Sequence, residues 1–287
     1  MNARPQNVAG ADPSSASEAW RVPSDPSLFV PGELQARALM SHSLSAMWIW
    51  LGRNVAPLRT MVHEYHQNWV IVGSRIERLD PVSEADADEL VFWVSRVQLR
   101  RAGSMLDLDV DVVAGARTVA RVGILSIVVQ FDDQSMAGAP GTLHGALQRG
   151  FAAHQLDPAP PTRRVPQLVA EIERGRPLGA LEHGFRIHRH HCEVADMWCF
   201  VEVPTLAAEA RETLAMDGDS KELRRLLTRP LALLELELRR PFYVLDRGRV
   251  RTAGFAGDDG RIGFVHRFIG PVGDEAVRGV VVEKFLT

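Results

Sequence analysis

Two stretches of this chain follow one grammar, and that recurrence limits the folds open to it. Between Leu44 and Tyr65 the residues Leu44, Met47, Trp48, Leu51, Val55, Leu58 and Val62 recur every three or four positions. That is the spacing of one helix face, with Pro57 placed to kink or split it. Four strand-like runs follow, at about 68–79, 89–101, 104–114 and 117–131. The third is the clearest, because Leu106, Leu108, Val110 and Val112 alternate with Asp107, Asp109 and Asp111, giving one dry and one wet face. The second half repeats the order. A short strand from Phe185 to His191 leads into an apolar helical segment from Val194 to Leu214, interrupted by Pro204. Strand-like runs then fall at about 231–243, 244–256, 261–270 and 277–286, with Leu234, Leu236 and Leu238 alternating against Glu235, Glu237 and Arg239.

A local signature accompanies this order: Ser45-Ala46-Met47-Trp48 in the first helix and Ala195-Asp196-Met197-Trp198 in the second, 150 residues apart. The spacing predicts two copies of a helix-plus-four-strand unit, at 27–131 and 185–287. Residues 1–26, rich in Ala, Ser, Pro and Asn, are expected to form a disordered tail. Residues 132–184, where Gly and Pro are frequent, read as a linker carrying one short helix, Val165 to Arg174.

Composition narrows the function classes. At 287 residues and 46% hydrophobic, the chain has ample material for a core. With 33 Lys+Arg against 36 Asp+Glu it lacks the concentrated basic balance of a nucleic-acid binder. Two cysteines, Cys192 and Cys199, cannot build a disulfide framework, so a reducing compartment is expected. No run approaches the ~18 apolar residues of a membrane span, and the N-terminus lacks the apolar core of a signal peptide. A soluble, cytoplasmic protein is the expectation.

A long apolar helix followed by an antiparallel meander that wraps it resembles the hot-dog fold. Two copies in one chain resemble the tandem arrangement of acyl-ACP thioesterases. The segment Met40-Ser41-His42-Ser43-Leu44-Ser45-Ala46-Met47-Trp48 is similar to the Met-Pro-His…Gly-Leu-Ser-Glu-x-Trp segment of double hot-dog enzymes from polyketide clusters, the leinamycin-type acyltransferase/decarboxylase family. The segment from Cys192 to Pro204 has the shape of that family's Asp-x-Asn-Gly…Tyr-Phe-x-Asn-Tyr-Pro motif. Cys192 and Val194 stand where the motif has its carboxylate and amide, and Ala46 replaces the first motif's glutamate. The resemblance implies an α+β tandem hot-dog fold acting on an acyl thioester held by an acyl carrier protein or coenzyme A. Acyl transfer, decarboxylation or hydrolysis would be the reaction, and a polyketide or peptide synthase a further partner. Dehydration, isomerisation or cyclisation of a carrier-bound chain, or non-catalytic acyl-chain or carrier-protein binding, is the alternative. The assembly would be a monomeric pseudo-dimer or a homodimer.

The resemblance also places the thioester carbonyl near the N-terminal end of a central helix, where unpaired N–H groups and the helix dipole stabilise an oxyanion. The candidate acid/base and orienting residues are His42 and Ser45 in the first half, and Asp196, His190, His191 and Glu202 in the second. Each has a structural reading beside it. Ser43 or Ser45 suits a helix N-cap, Asp196 a cap or dipole partner, and Glu202 a solvated face. In His188-Arg189-His190-His191-Cys192, a strand would place His188, His190 and Cys192 on one side. Ligands two apart on one strand suit a zinc tetrahedron poorly, so no metal is expected. Either cysteine would be a small core residue or, with a histidine base nearby, a nucleophile. Arg239, Arg240 and Arg249, with Arg247 and Arg251, could meet coenzyme A phosphates or an acidic carrier surface. No resident cofactor is expected; the substrate would arrive on phosphopantetheine or coenzyme A.

Overall fold

The computed structural model describes residues 19–285 except 32, 133–134, 152–155, 158–163, 194–195, 219 and 272. One twelve-stranded sheet dominates it, and ten of its strands lie on a single path. In chain order these are β1 (Trp20–Pro23), β2 (Gln67–Arg78), β3 (Glu89–Arg100), β4 (Met105–Ala114) and β5 (Arg117–Asp132). The second set is β6 (Arg176–Arg186), β7 (Leu231–Leu238), β8 (Arg247–Ala256), β9 (Ile262–Ile269) and β10 (Val277–Phe285). The spatial order β1-β3-β4-β5-β2-β7-β10-β9-β8-β6 reads the same from either edge, each half running from its edge strand through a meander to the middle. The halves join where β2 meets β7, with Arg75 opposite Glu235.

Period-two patterning accounts for the strands. In β4 the residues Leu106, Leu108, Val110 and Val112 are fully buried, and the intervening aspartates point away from the core. That outer face carries a ladder of ion pairs, Arg96 reaching Asp107 and Asp109 at 2.7 and 2.6 Å, Arg100 reaching Asp107 at 2.9 Å and Arg121 reaching Asp111 at 2.6 Å.

Helix α1 (Ala36–Asn54) buries Leu39, Met40, Ala46, Met47 and Leu51, and contacts β2, β3, β4 and β5. Pro57 splits it from α2 (Leu58–Glu64), as the sequence predicts. The start is earlier than Leu44, so Ser43 and Ser45 sit inside the helix and neither caps it; Gln35 is the N-cap. Leu39 and Met40 decide that boundary, because both enter the core. Helix α3 (Val165–Ile172) falls where the sequence places a short helix. It packs Val165 and Ile172 onto Val265, Val280 and Val282, covering the outer face of β9 and β10. That cover explains why β10 is apolar on both faces. Helix α4 (Val203–Asp217) lies against β6 and β8, and α5 (Lys221–Leu226) follows it.

Three boundaries differ from the sequence reading. Trp20–Pro23, inside the expected tail, pairs with β3, Trp20 opposite Phe92; residues 1–18 lie outside the described residues. Strand β6 begins at Arg176, nine residues before Phe185, because Gly179 and Gly184 dilute the pattern of an edge strand. The segment 132–184 is also more than a linker, since Leu143, Leu147 and Phe151 are buried in the main core. Among the described residues no helix is long and apolar enough to cross a membrane.

Candidate functional site

Helix α4 starts nine residues later than the apolar pattern suggests, and this rearranges the second-half candidates. Between the end of β6 at Arg186 and the start of α4, the described chain runs through tight turns before it re-enters the core. Arg189–His191 form one 3-10 turn and Phe200–Glu202 another, the latter running directly into α4. The histidine run is therefore not a strand, and its rings do not alternate across a sheet. Short contacts close the loop. Cys192 and Trp198 form an isolated antiparallel bridge, the Cys199 N–H donates to the His191 carbonyl at 2.9 Å, and the Glu202 N–H donates to the Cys199 carbonyl at 3.1 Å. Trp198 anchors the loop, packed with Phe185, Phe242 and Phe268 at ring-centroid distances of 5.5, 5.6 and 5.7 Å.

Three imidazoles converge here, the His190 and His191 centroids 4.0 Å apart and His188 within 5.8 Å of both. His191 Nδ1 accepts the His188 N–H at 3.2 Å. A neutral imidazole that accepts at Nδ1 carries its proton on Nε2, so the free donor of His191 is its Nε2–H. Burial holds its pKa below the usual histidine range, His190, His188 and Arg37 act in the same direction, and Glu202 opposes them. Glu202 is clamped by Arg37 of α1, Nε reaching both carboxylate oxygens at 3.0 and 3.1 Å and Nη2 reaching Oε1 at 2.7 Å. The structure thus sets the His190 and His191 rings against each other and links His191, through the Cys199 backbone, to Glu202 at the N-terminal end of α4.

The other candidates lie elsewhere. Asp196 is not at a helix start; it occupies an exposed bend at φ 55°, its carbonyl accepting the Val244 N–H. His42 sits on α1 under β1, its Nδ1 accepting the Trp20 indole N–H at 3.1 Å and its ring 5.4 Å from that of Phe92. Burial lowers the His42 pKa, with Asp25 opposing. The Ser45 hydroxyl donates to the Ser41 carbonyl at 3.3 Å, a bond within the helix. Burial raises the Cys199 thiol, which works against its use as a thiolate nucleophile. The arginine cluster is largely neutralised: Arg249 and Arg251 both pair with Glu182 and Glu275, and Arg239 pairs with Glu237. Arg240 gives its backbone N–H to the Arg278 carbonyl. Among the described residues no group of three or more His, Cys, Asp or Glu side chains is arranged to hold a metal ion. An open groove of about 490 Å³ runs along α4 from Thr205 to Asp217, but Glu209 and Glu212 in its wall make it ill suited to an acyl chain.

Sequence reasoning missed one polar array. Thr252 Oγ1 lies 2.9 Å from His266 Nδ1, His266 Nε2 lies 3.2 Å from Glu283 Oε2, and Arg211 of α4 reaches both Glu283 oxygens at 2.7 Å. All three strand residues are buried. The signal was available as parity: each stands at an inward position, between Val250 and Gly254, Phe264 and Phe268, and Val281 and Phe285. Through Arg211 the array fastens α4, and with it the Glu202 end, to the sheet.

No protein-family model and no curated protein matches this chain. Solved structures do match, nearly end to end. A protein designated an oleoyl thioesterase from Lactobacillus plantarum superposes with a TM-score of 0.72 at 8% identity, over 96% of this chain and 98% of its own. The chain has the hot-dog fold. The 12:0-ACP thioesterase from Umbellularia californica gives 0.65 at 9% identity, with 94% of each chain covered. An acyl-ACP thioesterase from Bacteroides thetaiotaomicron gives 0.58 at 12% identity, over 94% of this chain and 100% of its own. At such identities the likeness concerns architecture, and hot-dog architecture alone does not determine a reaction.

Proposed function

We propose that this protein is an enzyme acting on an acyl thioester, delivered on an acyl carrier protein or coenzyme A, and that hydrolysis is its primary reaction. The observation that carries the reading is the paired His190 and His191 imidazoles, linked through the Cys199 backbone to the Arg37-held Glu202 at the N-terminal end of α4 in a hot-dog fold. The polarity of the loop supports the following roles. His191 Nε2–H donates to the thioester carbonyl as it becomes an oxyanion, assisted by the positive end of the α4 dipole. His190 accepts a proton from the attacking water, and the departing thiolate takes a proton back from the imidazole pair. Both oxygens of Glu202 are engaged by Arg37, which suits an orienting and electrostatic role better than attack on the substrate. The similarity of Met40–Trp48 and Cys192–Pro204 to polyketide double hot-dog enzymes supports a place in secondary metabolism.

The test is to incubate the purified protein with a panel of acyl-CoA and acyl-carrier thioesters, following free thiol and intact mass. Release of thiol with the free acid is expected. Loss of carbon dioxide or of water would replace hydrolysis with decarboxylation or dehydration at the same site, and binding without turnover would make this an acyl-chain or carrier-protein binder. If no thioester binds or changes, the reading is lost.

A further inference from the structure

The Arg37–Glu202 pair joins side chains 165 residues apart, one from each half of the molecule. Its three hydrogen bonds match the fork of a guanidinium to both oxygens of a carboxylate, a geometry that lysine cannot reproduce. The two ends differ in environment: the Arg37 side chain is 55% exposed and that of Glu202 only 16%. A pair with one partner in water contributes little to stability. What it fixes is direction. Glu202 precedes α4 and is tied through the Cys199 backbone to His191, and the Arg37 fork sets the orientation of its carboxylate.

Resting on the reading that the reaction occurs at this end of α4, we infer that Arg37 is a positioning residue: the first half's helix holds the second half's Glu202, which the Cys199 backbone links to His191, so the site is assembled from both halves. The groups whose charge acts on His191 are His188 and His190 from its own turn, Glu202 from the start of α4 and Arg37 from α1. With Arg37 in place, the Glu202 charge is compensated. Without it, the uncompensated carboxylate acts on His191 and favours its protonated form.

NMR titration of the imidazoles in the full chain tests this without requiring turnover, the His191 signal being assigned by its loss in His191→Gln. Arg37→Met is expected to raise the His191 midpoint by roughly half a pH unit or more, and Glu202→Gln to lower it. The double variant should return it toward the wild-type value. Arg37→Lys, with charge but no fork, should fall between wild type and Arg37→Met. In parallel, the acid limb of kcat/KM for an acyl-CoA should move with the midpoint, the loss falling on kcat with KM nearly unchanged. Should Arg37→Met and Glu202→Gln, both folded by thermal melt, leave the midpoint and the acid limb unmoved while thioester is still hydrolysed, the positioning role is overturned and the reaction stands. A shifted midpoint in a protein that hydrolyses no thioester supports the coupling and removes the reaction.

Discussion

His266 and Glu283 face each other across β9 and β10 with Nε2 and Oε2 3.2 Å apart, and neither side chain is more than 2% exposed. Burial alone would raise the Glu283 carboxyl, but Arg211 and His266 outweigh it and hold the pKa down to about 2. A carboxylate whose folded pKa is depressed contributes stability above its unfolded value, and that contribution is lost as pH falls through the folded one. Denaturation midpoints should therefore decline between about pH 5 and pH 2 by an amount equivalent to a few kcal/mol. Glu283→Gln should remove this dependence and, by leaving Arg211 without its buried partner, destabilise the protein by about 3–5 kcal/mol at pH 7 in urea titration. An unchanged urea midpoint would show that the array does not anchor α4.

Glu235 has the opposite sign. It stands at the seam of the two halves, opposite Arg75 on β2, 3.6 Å from Arg75 Nε. Burial raises its pKa to about 7 despite Arg75, and Glu77 adds to the rise. A raised carboxyl favours the fold below its unfolded pKa, and the advantage is lost as pH climbs toward 7. Glu235→Gln should thus stabilise the protein at pH 8 by roughly 1–3 kcal/mol and do little at pH 4. Melting curves of both proteins at the two pH values would decide it; equal differences at both would refute the assignment.

The strands were legible because period two survives wherever one face is dry, as in Leu106–Val112 and Leu234–Leu238. The repeated order of elements was legible for the same reason. Its anchor was not: Met47 lies inside α1, whereas Met197 lies in the loop before α4, so the shared Met-Trp pair marks different places in the two halves. Apolar residues in a packed loop give the same signal as those on a helix, and Trp198 packs among Phe185, Phe242 and Phe268 without being helical. His191 and Glu202 could be nominated from sequence, but the partner that orients Glu202 could not. Arg37 is one ordinary charge on a helix until the fold places it against a residue from the other half.

Phe151 illustrates how a short apolar pattern, here Leu143, Leu147 and Phe151, escapes reading among glycines and prolines. It is fully buried, 5.6 Å from the Trp50 ring and 6.5 Å from that of Trp69, and so pins the intervening segment onto the first half's core. Phe151→Ala should cost about 3–5 kcal/mol through lost burial and the cavity left behind. A change below ~1 kcal/mol in chemical denaturation would mean that this segment is not part of the core.

The role of His191 as a donor makes a prediction that separates shape from proton transfer. Its Nδ1 is engaged by the His188 N–H at 3.2 Å, so a free Nε2–H belongs to the neutral ring. Protonation puts a second hydrogen on Nδ1, breaks that contact and frees the ring to turn. Because the folded pKa lies below the usual histidine value, the neutral, oriented form should persist to slightly acidic pH, and kcat/KM should fall as pH drops through the His191 midpoint. His191→Phe, which keeps a planar ring but no donor, should lower kcat by about 10²–10⁴-fold. His191→Gln, which can offer an amide N–H in its place, should retain more of the activity, and its acid limb should no longer follow the His191 midpoint. If Phe and Gln variants lose equal activity, the donor role is wrong; if both keep wild-type rates, the reaction does not occur at this loop.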